Sequence, residues 1–361
     1  MKDFDYSRQT FYLFLFFAVI LSGVILKVTA SFSLPLTIAV LLSCVFYPIV
    51  KNLNRKIHLP WIAGIIIMAT LFVILILLLS TIIGTSLSTI YGQYPKYESR
   101  FLSIYKVFAE KFHIQFYDDK SFVENMWSQL KVREFVQTIA LAFSGNVISF
   151  TKNLMTILLF CVFLLIEMKT GTEKIYAIAQ VKLSDRIRRI IRKVIIETVN
   201  YISIKFFISL ITGLLVFLLL AILRLDFAIM WAFLAFVMNF IPTFGSIISV
   251  GLTTLFALLQ FYPSPFPIIF ILVMMTVINM VLGNIVEPRI EGKNLGLSPF
   301  VILVSLTFWG WMWGFVGMIL AVPIMVILKI ICENVSYLHG IAILLGNKPT
   351  ETQKELSSSE E

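Results

Sequence analysis

Long apolar stretches separated by short polar ones run along most of this chain. Phe11 to Leu26 is apolar and stops at Lys27, and Phe32–Val50 follows at once, broken only by Pro35 and Pro48. The two read as a tight pair of spans. A signal peptide cleaved at Val28-Thr29-Ala30 is the competing reading of the first. A basic hexamer, Lys51-Asn52-Leu53-Asn54-Arg55-Lys56, comes next. Trp61 then opens a third span to about Ile83, a fourth covers Asn146–Ile166, and a fifth covers about Tyr201 to Leu223. Each reaches or approaches the roughly 20 residues needed to cross a bilayer core.

The last third departs from this rhythm. Phe227 to Phe261 is 35 residues of almost unbroken apolar sequence, too long for one span and short for two with a loop. At its middle stands Asn239-Phe240-Ile241-Pro242-Thr243-Phe244-Gly245. Pro242 removes an amide donor and disfavours helix at Ile241, and Gly245 loosens the chain again. Two half-helices of about 12 and 16 residues are predicted. Ile268–Ile285, a further span, contains Asn279 and ends near Asn284. A charged loop, Glu287-Pro288-Arg289 to Pro299, comes after it. Phe300–Ile331 then repeats the earlier pattern, interrupted at Trp309-Gly310-Trp311-Met312-Trp313-Gly314, with a kink at Pro323. Unwound backbone leaves amides and carbonyls that hydrocarbon cannot satisfy, so such breaks persist only beside protein, water or a bound solute. Two of them in one half of a chain point to a transport site.

Polarity elsewhere assigns orientation. Residues 168–193 carry eight Lys or Arg and read as cytoplasmic. Within them Ile187, Ile190, Ile191, Val194 and Ile195 keep helical spacing, as in a helix lying along an anionic membrane surface. Residues 91–145 hold balanced charges and are expected to form a water-facing helical insert outside the cytoplasm. The organisation is therefore 1–90, three transmembrane helices; 91–145, the insert; 146–223, two more spans joined by the basic segment; 224–335, a transport core; and 336–361, a cytoplasmic tail. Parity of crossings leaves 286–298 on either face. Arg289 and Lys293, against an uncharged 262–267, favour two re-entrant hairpins entering from opposite faces.

Composition agrees. Of 361 residues, 59% are hydrophobic and 14% charged, against about 45–50% and 25% in soluble domains. An all-α polytopic membrane protein is expected. The net charge of +9 sits in residues flanking apolar runs and is read as orientation, with no nucleic-acid partner. Three scattered Cys and three scattered His give no disulfide framework, no metal site and no cofactor. HExxH, GxSxG, P-loop and GxGxxG patterns are absent, so no enzyme or ATP-driven pump is indicated.

Asn239-Phe240-Ile241-Pro242 with Gly245, then Glu287-Pro288-Arg289, Gly292, Leu295-Gly296-Leu297-Ser298-Pro299, Trp309-Gly310-Trp311, Gly314, Gly317-Met318 and Ala321-Val322-Pro323, resemble the signature of the autoinducer-2 exporter family. The likeness is specific over roughly 195–335 and is one of layout before that. It implies a bacterial inner-membrane transporter with eight membrane segments and a homo-oligomer, a pentamer; the cytoplasmic termini follow from charge and the parity of crossings. The Glu-Pro-Arg and Phe-Trp-Gly-Trp forms resemble the quorum-signal branch, but the family also holds sodium- or lithium/proton antiporters. The implied partners are a small polar solute, a coupling ion (proton or sodium) and membrane lipid.

The site candidates divide by chemistry. Pro242, Gly245, Pro299, Gly310, Gly314, Gly317 and Pro323 shape backbone, or let helices pack closely. Asn239, Asn279 and Asn284 can bind a hydroxylated solute or a neighbouring helix. Glu287, Pro288 and Arg289 supply an ion pair, a relay or an exposed loop. Trp309 and Trp313 share a helical face, as an interfacial belt or a wall for a ring-shaped solute. Lys205 is read as snorkelling to the interface. An exporter of autoinducer-2 working by alternating access of two broken hairpins is the preferred reading. An antiporter lacks a mid-depth carboxylate, since Asp226, Glu167 and Glu197 lie near span ends. A non-transporting scaffold that docks through 91–145 is the alternative from another class.

Overall fold

A computed structural model describes residues 6–111, 152–169, 181–291, 296–335 and 338–346. Most of the expected insert, Gly292, Lys293, Leu295 and the polar tail lie outside the described residues. The described chain is helical, with one isolated bridge between Leu297 and Gly346. We number its helices α1 (Tyr6–Val28), α2 (Ala30–Ile57), α3 (Trp61–Lys111), α4 (152–169), α5 (Val181–Ile222), α6 (Ala228–Met238), α7 (Phe244–Phe261), α8 (Pro265–Val281), α9 (Glu287–Glu291), α10 (Pro299–Asn334) and α11 (His339–Leu345).

Five described helices are long and apolar enough to cross a membrane: Ala30–Ile57, Ile187–Ile222, Phe244–Phe261, Pro265–Ile290 and Pro299–Asn334. Shorter apolar helices occupy Phe16–Val28, Trp61–Ile74 and Ala228–Met238. Their outward faces are rich in exposed Leu, Ile and Phe, which suits a lipid solvent. The chain is a polytopic membrane protein. Several boundaries differ from expectation. The first two spans meet at a single residue, Thr29. The third runs unbroken for 51 residues to Lys111, through Gly84, which follows the expected end at Ile83.

The chain divides into two compact units. One comprises 1–62, 154–199 and 295–361, the other 63–153 and 200–294. In the first, Ser43 donates to the Ala39 carbonyl at 2.6 Å and touches Cys161, while Trp61 Nε1 donates to the Leu165 carbonyl at 3.1 Å. These bonds tie α2 and the start of α3 to α4. Lys193 reaches Glu333 at 2.8 Å, tying α5 to the end of α10. The core of the second unit is formed by Val216, Leu219, Leu220, Leu225, Ala232, Ala235, Ala257, Ile271 and Met275. It joins α5, α6, α7 and α8, and small residues at 232, 235 and 257 let the helices approach.

Both predicted breaks are present. In the second unit, α6 (11 residues) and α7 (18 residues) flank a non-helical Asn239–Thr243. Thr243 takes a positive φ of 60°, a conformation of a few per cent of non-glycine residues. At Gly245 a Cβ would lie 1.7 Å from the Met238 carbonyl oxygen. Only glycine lets the two half-helices close this way. In the first unit, Trp313 and Gly314 leave the helical region, and Gly314 has φ 63° and ψ −146°. There α10 folds back: Ser305 Oγ donates to the Ala321 carbonyl at 3.3 Å, whereas a straight helix would hold residues 16 apart at about 24 Å. A Cβ at Gly317 would sit 2.0 Å from the Trp309 carbonyl. Pro323 lies buried in the returning arm, and Pro299 opens the outgoing arm at a position where its missing amide is not needed.

Candidate functional site

The second unit contains a cavity of about 670 Å³. It is lined from α5 by Lys205, from the break by Asn239, Pro242 and Thr243, and from α7 by Ser246. The segment from α8 to α9 contributes Thr276, Asn279, Asn284 and Glu287. Apolar side chains, among them Ile247, Val250, Leu272 and Met280, fill the remaining wall. Few polar groups converging in an apolar concavity is the usual form of a small-molecule site.

Its charges are two. Residues 201–223 and 227–286 contain a single Asp, Glu, Lys, Arg or His, namely Lys205. Its Nζ stands 2.6 Å from Glu287 Oε1, and the side chains are only 5% and 14% exposed. Lys205 therefore does not snorkel. A buried ammonium and carboxylate hold one another because neither finds water. The pair corrects two expectations. Glu287 does not pair with Arg289, which lies two positions along the same helix and points elsewhere; Pro288 and Arg289 are exposed. Nor is Glu287-Pro288-Arg289 a loop, for it forms α9, a continuation of α8.

The continuation passes through a π-helical turn, Leu282–Val286, in which the Glu287 amide donates to the Leu282 carbonyl five residues back. Pro288 explains the widening. It has no N–H for the Asn284 carbonyl and its ring would crowd that oxygen. The extra residue rotates the downstream positions by roughly 100° around the helix, which turns Glu287 towards Lys205. Such turns recur at functional sites. Asn239 is held by its own second contact, Nδ2 donating to Ser209 Oγ at 3.0 Å. Ser209 is one turn from Lys205 on α5 and fully buried. Asn279 Nδ2 donates to the Met275 carbonyl at 2.8 Å, which fixes the amide on the wall.

The structure thus brings together Asn239, Pro242, Asn279, Asn284 and Glu287 around one cavity, with Gly245 closing the break beside it. It adds Lys205, Thr243, Ser246 and Thr276. Pro288 and Arg289 lie in the same unit but outside the cavity lining; the candidates from Pro299 to Pro323 belong to the other unit, where they do different work. Trp309 and Trp313 are buried against each other, their ring centroids 4.9 Å apart. Trp313 Nε1 donates to the Leu26 carbonyl at 3.4 Å. They brace the fold-back of α10 against α1, and Gly310 faces the side chain of Met318 across it. Trp311, on the outer face, is exposed beneath the ammonium of Lys27.

A second polar cluster in the same unit as the cavity involves the turn after α5. Asp226 accepts from Lys96 Nζ at 3.0 Å and from the Tyr97 hydroxyl. The Asp226 amide donates to Gln260 Oε1 at 2.8 Å, and Arg100 donates to the Gln260 carbonyl. Burial pushes the Asp226 carboxyl up, but the bonds from Tyr97 and Lys96 outweigh it and hold the group below its usual range. The Tyr97 hydroxyl is pushed up by burial and by Asp226. Among the described residues no three His, Cys, Asp or Glu gather as metal ligands.

Comparison with known proteins gives one family. The family model for AI-2E family transporters matches residues 11–336. A protein of Haemophilus influenzae named "Putative transport protein" is 32% identical over 338 residues, covering 91% of this chain and 93% of its own. One of the same name from Borreliella burgdorferi is 30% identical over 320 residues, covering 89% and 86%. The "AI-2 transport protein TqsA" of Escherichia coli is 28% identical over 339 residues, covering 91% and 93%.

Proposed function

The chain belongs to the AI-2E transporter family, and from that premise we propose that it is a secondary transporter exporting a small polar solute, autoinducer-2, across a bacterial inner membrane. The observation that carries the reading is the cavity of about 670 Å³ with Asn239, Asn279, Asn284 and the Lys205–Glu287 pair on its wall. Amides, hydroxyls and a neutralised ion pair offer donors and acceptors to a hydroxylated solute and no net charge. The solute itself is taken from the named activity of the Escherichia coli relative.

Alternating access is assigned to the break between α6 and α7. Helix α6, at 11 residues, spans about 16 Å and is too short to cross a hydrocarbon core of about 30 Å. A re-entrant hairpin of α6 and α7 is the result, hinged at Asn239–Thr243. The fold-back of α10 at Trp313–Gly314 is read as the second re-entrant hairpin. The termini are cytoplasmic, the orientation that the basic residues 168–193 favour. With no nucleotide motif in the sequence, the solute gradient or a coupled ion supplies the energy. A homo-oligomer, a pentamer, is carried over from the family resemblance.

Purified protein in proteoliposomes tests the reading. Saturable autoinducer-2 flux that Asn279→Leu abolishes is expected. A second reading, sodium- or lithium/proton exchange, gains from Glu287, a carboxylate inside the cavity. Cation-driven proton flux lost in Glu287→Gln, with no autoinducer-2 flux, would replace the first reading by the second.

A further inference from the structure

We infer that Lys205 is the residue that decides which kind of solute the cavity accepts: its ammonium occupies a latent metal-cation site at Glu287 and so restricts the cavity to uncharged solutes. The inference rests on reading this cavity as the solute site. It goes further by naming the side chain that sets the cavity's preference between uncharged solutes and metal cations.

The cavity has what a hard monovalent cation requires. Oxygen donors suit such ions, and Thr276, Asn279, Asn284 and Glu287 from the α8–α9 segment and Ser246 from α7 all supply them to the cavity lining. The strongest of these, the Glu287 carboxylate, is already taken by the Lys205 ammonium at 2.6 Å. That ammonium cannot withdraw to water, since Lys205 is 4% exposed in the middle of a packed helix. Its neighbours on the same face, Ile208 and Ser209, are buried as well. Among the described residues no other charged side chain lines the cavity. Helices α6, α7 and α8 carry no Asp, Glu, Lys, Arg or His, and the part of α5 from 201 to 222 carries only Lys205. A sodium ion entering beside the intact pair would leave a net positive charge next to an ammonium whose side chain is only 5% exposed, where like charges repel strongly. A neutral solute meets no such barrier, because it can accept from the ammonium and donate to the carboxylate.

Removing the ammonium while keeping its stem reverses the balance. Lys205→Met leaves Glu287 without its counter-ion in a site rich in oxygen donors, and an unpaired buried carboxylate draws in a cation. Binding of radioactive sodium, competed by lithium, is measured on the purified full chain in nanodiscs at alkaline pH. Wild type is expected to show no saturable binding. Lys205→Met gains it, with affinity at least about tenfold above any wild-type signal, and Lys205→Met/Glu287→Gln loses it again. Sodium should raise the melting temperature of Lys205→Met and leave wild type unmoved. Lys205→Gln gives a second, milder variant should the methionine form not fold. Saturable sodium binding to wild type overturns the inference. So does a folded Lys205→Met or Lys205→Gln protein that binds no sodium, or binding that survives in the double variant. The outcome does not depend on solute flux: absent autoinducer-2 flux in wild type would remove the transport reading and leave the sodium result standing.

Discussion

The two helix breaks of this protein both interrupt long apolar segments and end in different surroundings. At Asn239–Thr243 the chain opens onto a polar cavity, and the residues around the break offer amides, hydroxyls and an ion pair to whatever enters it. At Trp313–Gly314 the chain turns back and closes on itself, with two indoles in tilted contact and close glycine contacts filling the space. A broken apolar segment is therefore not in itself a binding site. What distinguishes the two is the polarity of the side chains within reach of the free backbone groups. Asn239, Thr243 and Ser246 surround one break; Trp309, Met312 and Trp313, all buried, surround the other.

Both breaks close on a glycine, and its loss is the largest expected effect at either. A Cβ would overlap backbone at Gly245 and at Gly317, at 1.7 and 2.0 Å. Gly245→Ala and Gly317→Ala are each expected to destabilise by more than about 4 kcal/mol, the range reserved for forced backbone displacement. Thermal denaturation and the yield of monodisperse protein report it. If one variant melts like wild type, that break is not a tight closure.

The charged pair separates the two regions next. Lys205→Met or Glu287→Gln alone leaves a buried charge unpaired and should cost roughly 3–5 kcal/mol, while the double variant recovers most of it. A double-mutant cycle on melting temperature measures the coupling. Additive losses would mean that the pair does not form.

Third comes a split between transport and stability. Asn239→Ala removes one bond to Ser209, for a stability loss of about 1 kcal/mol, but should raise the KM for solute flux several-fold. Trp309→Phe should lower stability by about 1–2 kcal/mol through lost packing and leave the KM unchanged. Reversed results would move the site to the other break.

Sequence alone located these breaks well, because Pro242 and Gly314 act on their own backbone within a turn. For the same local reason it located the spans at Phe32–Val50, about Tyr201 to Leu223 and Ile268–Ile285, which fall on helices long and apolar enough to cross a membrane. The ion pair was out of reach. Lys205 and Glu287 are 82 positions apart, and their meeting depends on the phase of a helix reset by the turn at Leu282–Val286. Read locally, the charges of Glu287, Arg289 and Glu291 look like a loop, and a single lysine in an apolar run looks like one reaching for the interface. That Trp309 and Trp313 share a helical face was legible from their spacing of four. Their burial against each other was not, since that depends on how α10 returns on itself.

The smallest effect concerns the cluster around Asp226, which fastens the turn after α5 to α3 in the unit that contains the cavity. Asp226 has a folded-state carboxyl held below its ordinary value. Its contribution is therefore fully present above the unfolded carboxylate range and is lost as pH falls through the folded value, below about pH 4. Tyr97 has the opposite sense: its hydroxyl is pushed up, so its contribution is lost as pH rises above about 10. The groups are partly exposed, with Asp226 at 32% and Lys96 at 49%, so solvent screens them and the effect should stay below about 1 kcal/mol. Asp226→Asn should flatten the acid limb of the stability profile and leave solute KM unchanged, since none of these residues lines the cavity. A change in KM would instead couple this turn, at the Ala228 end of α6, to the break at Asn239 at its other end, and would extend the working region from the cavity wall to the whole of α6.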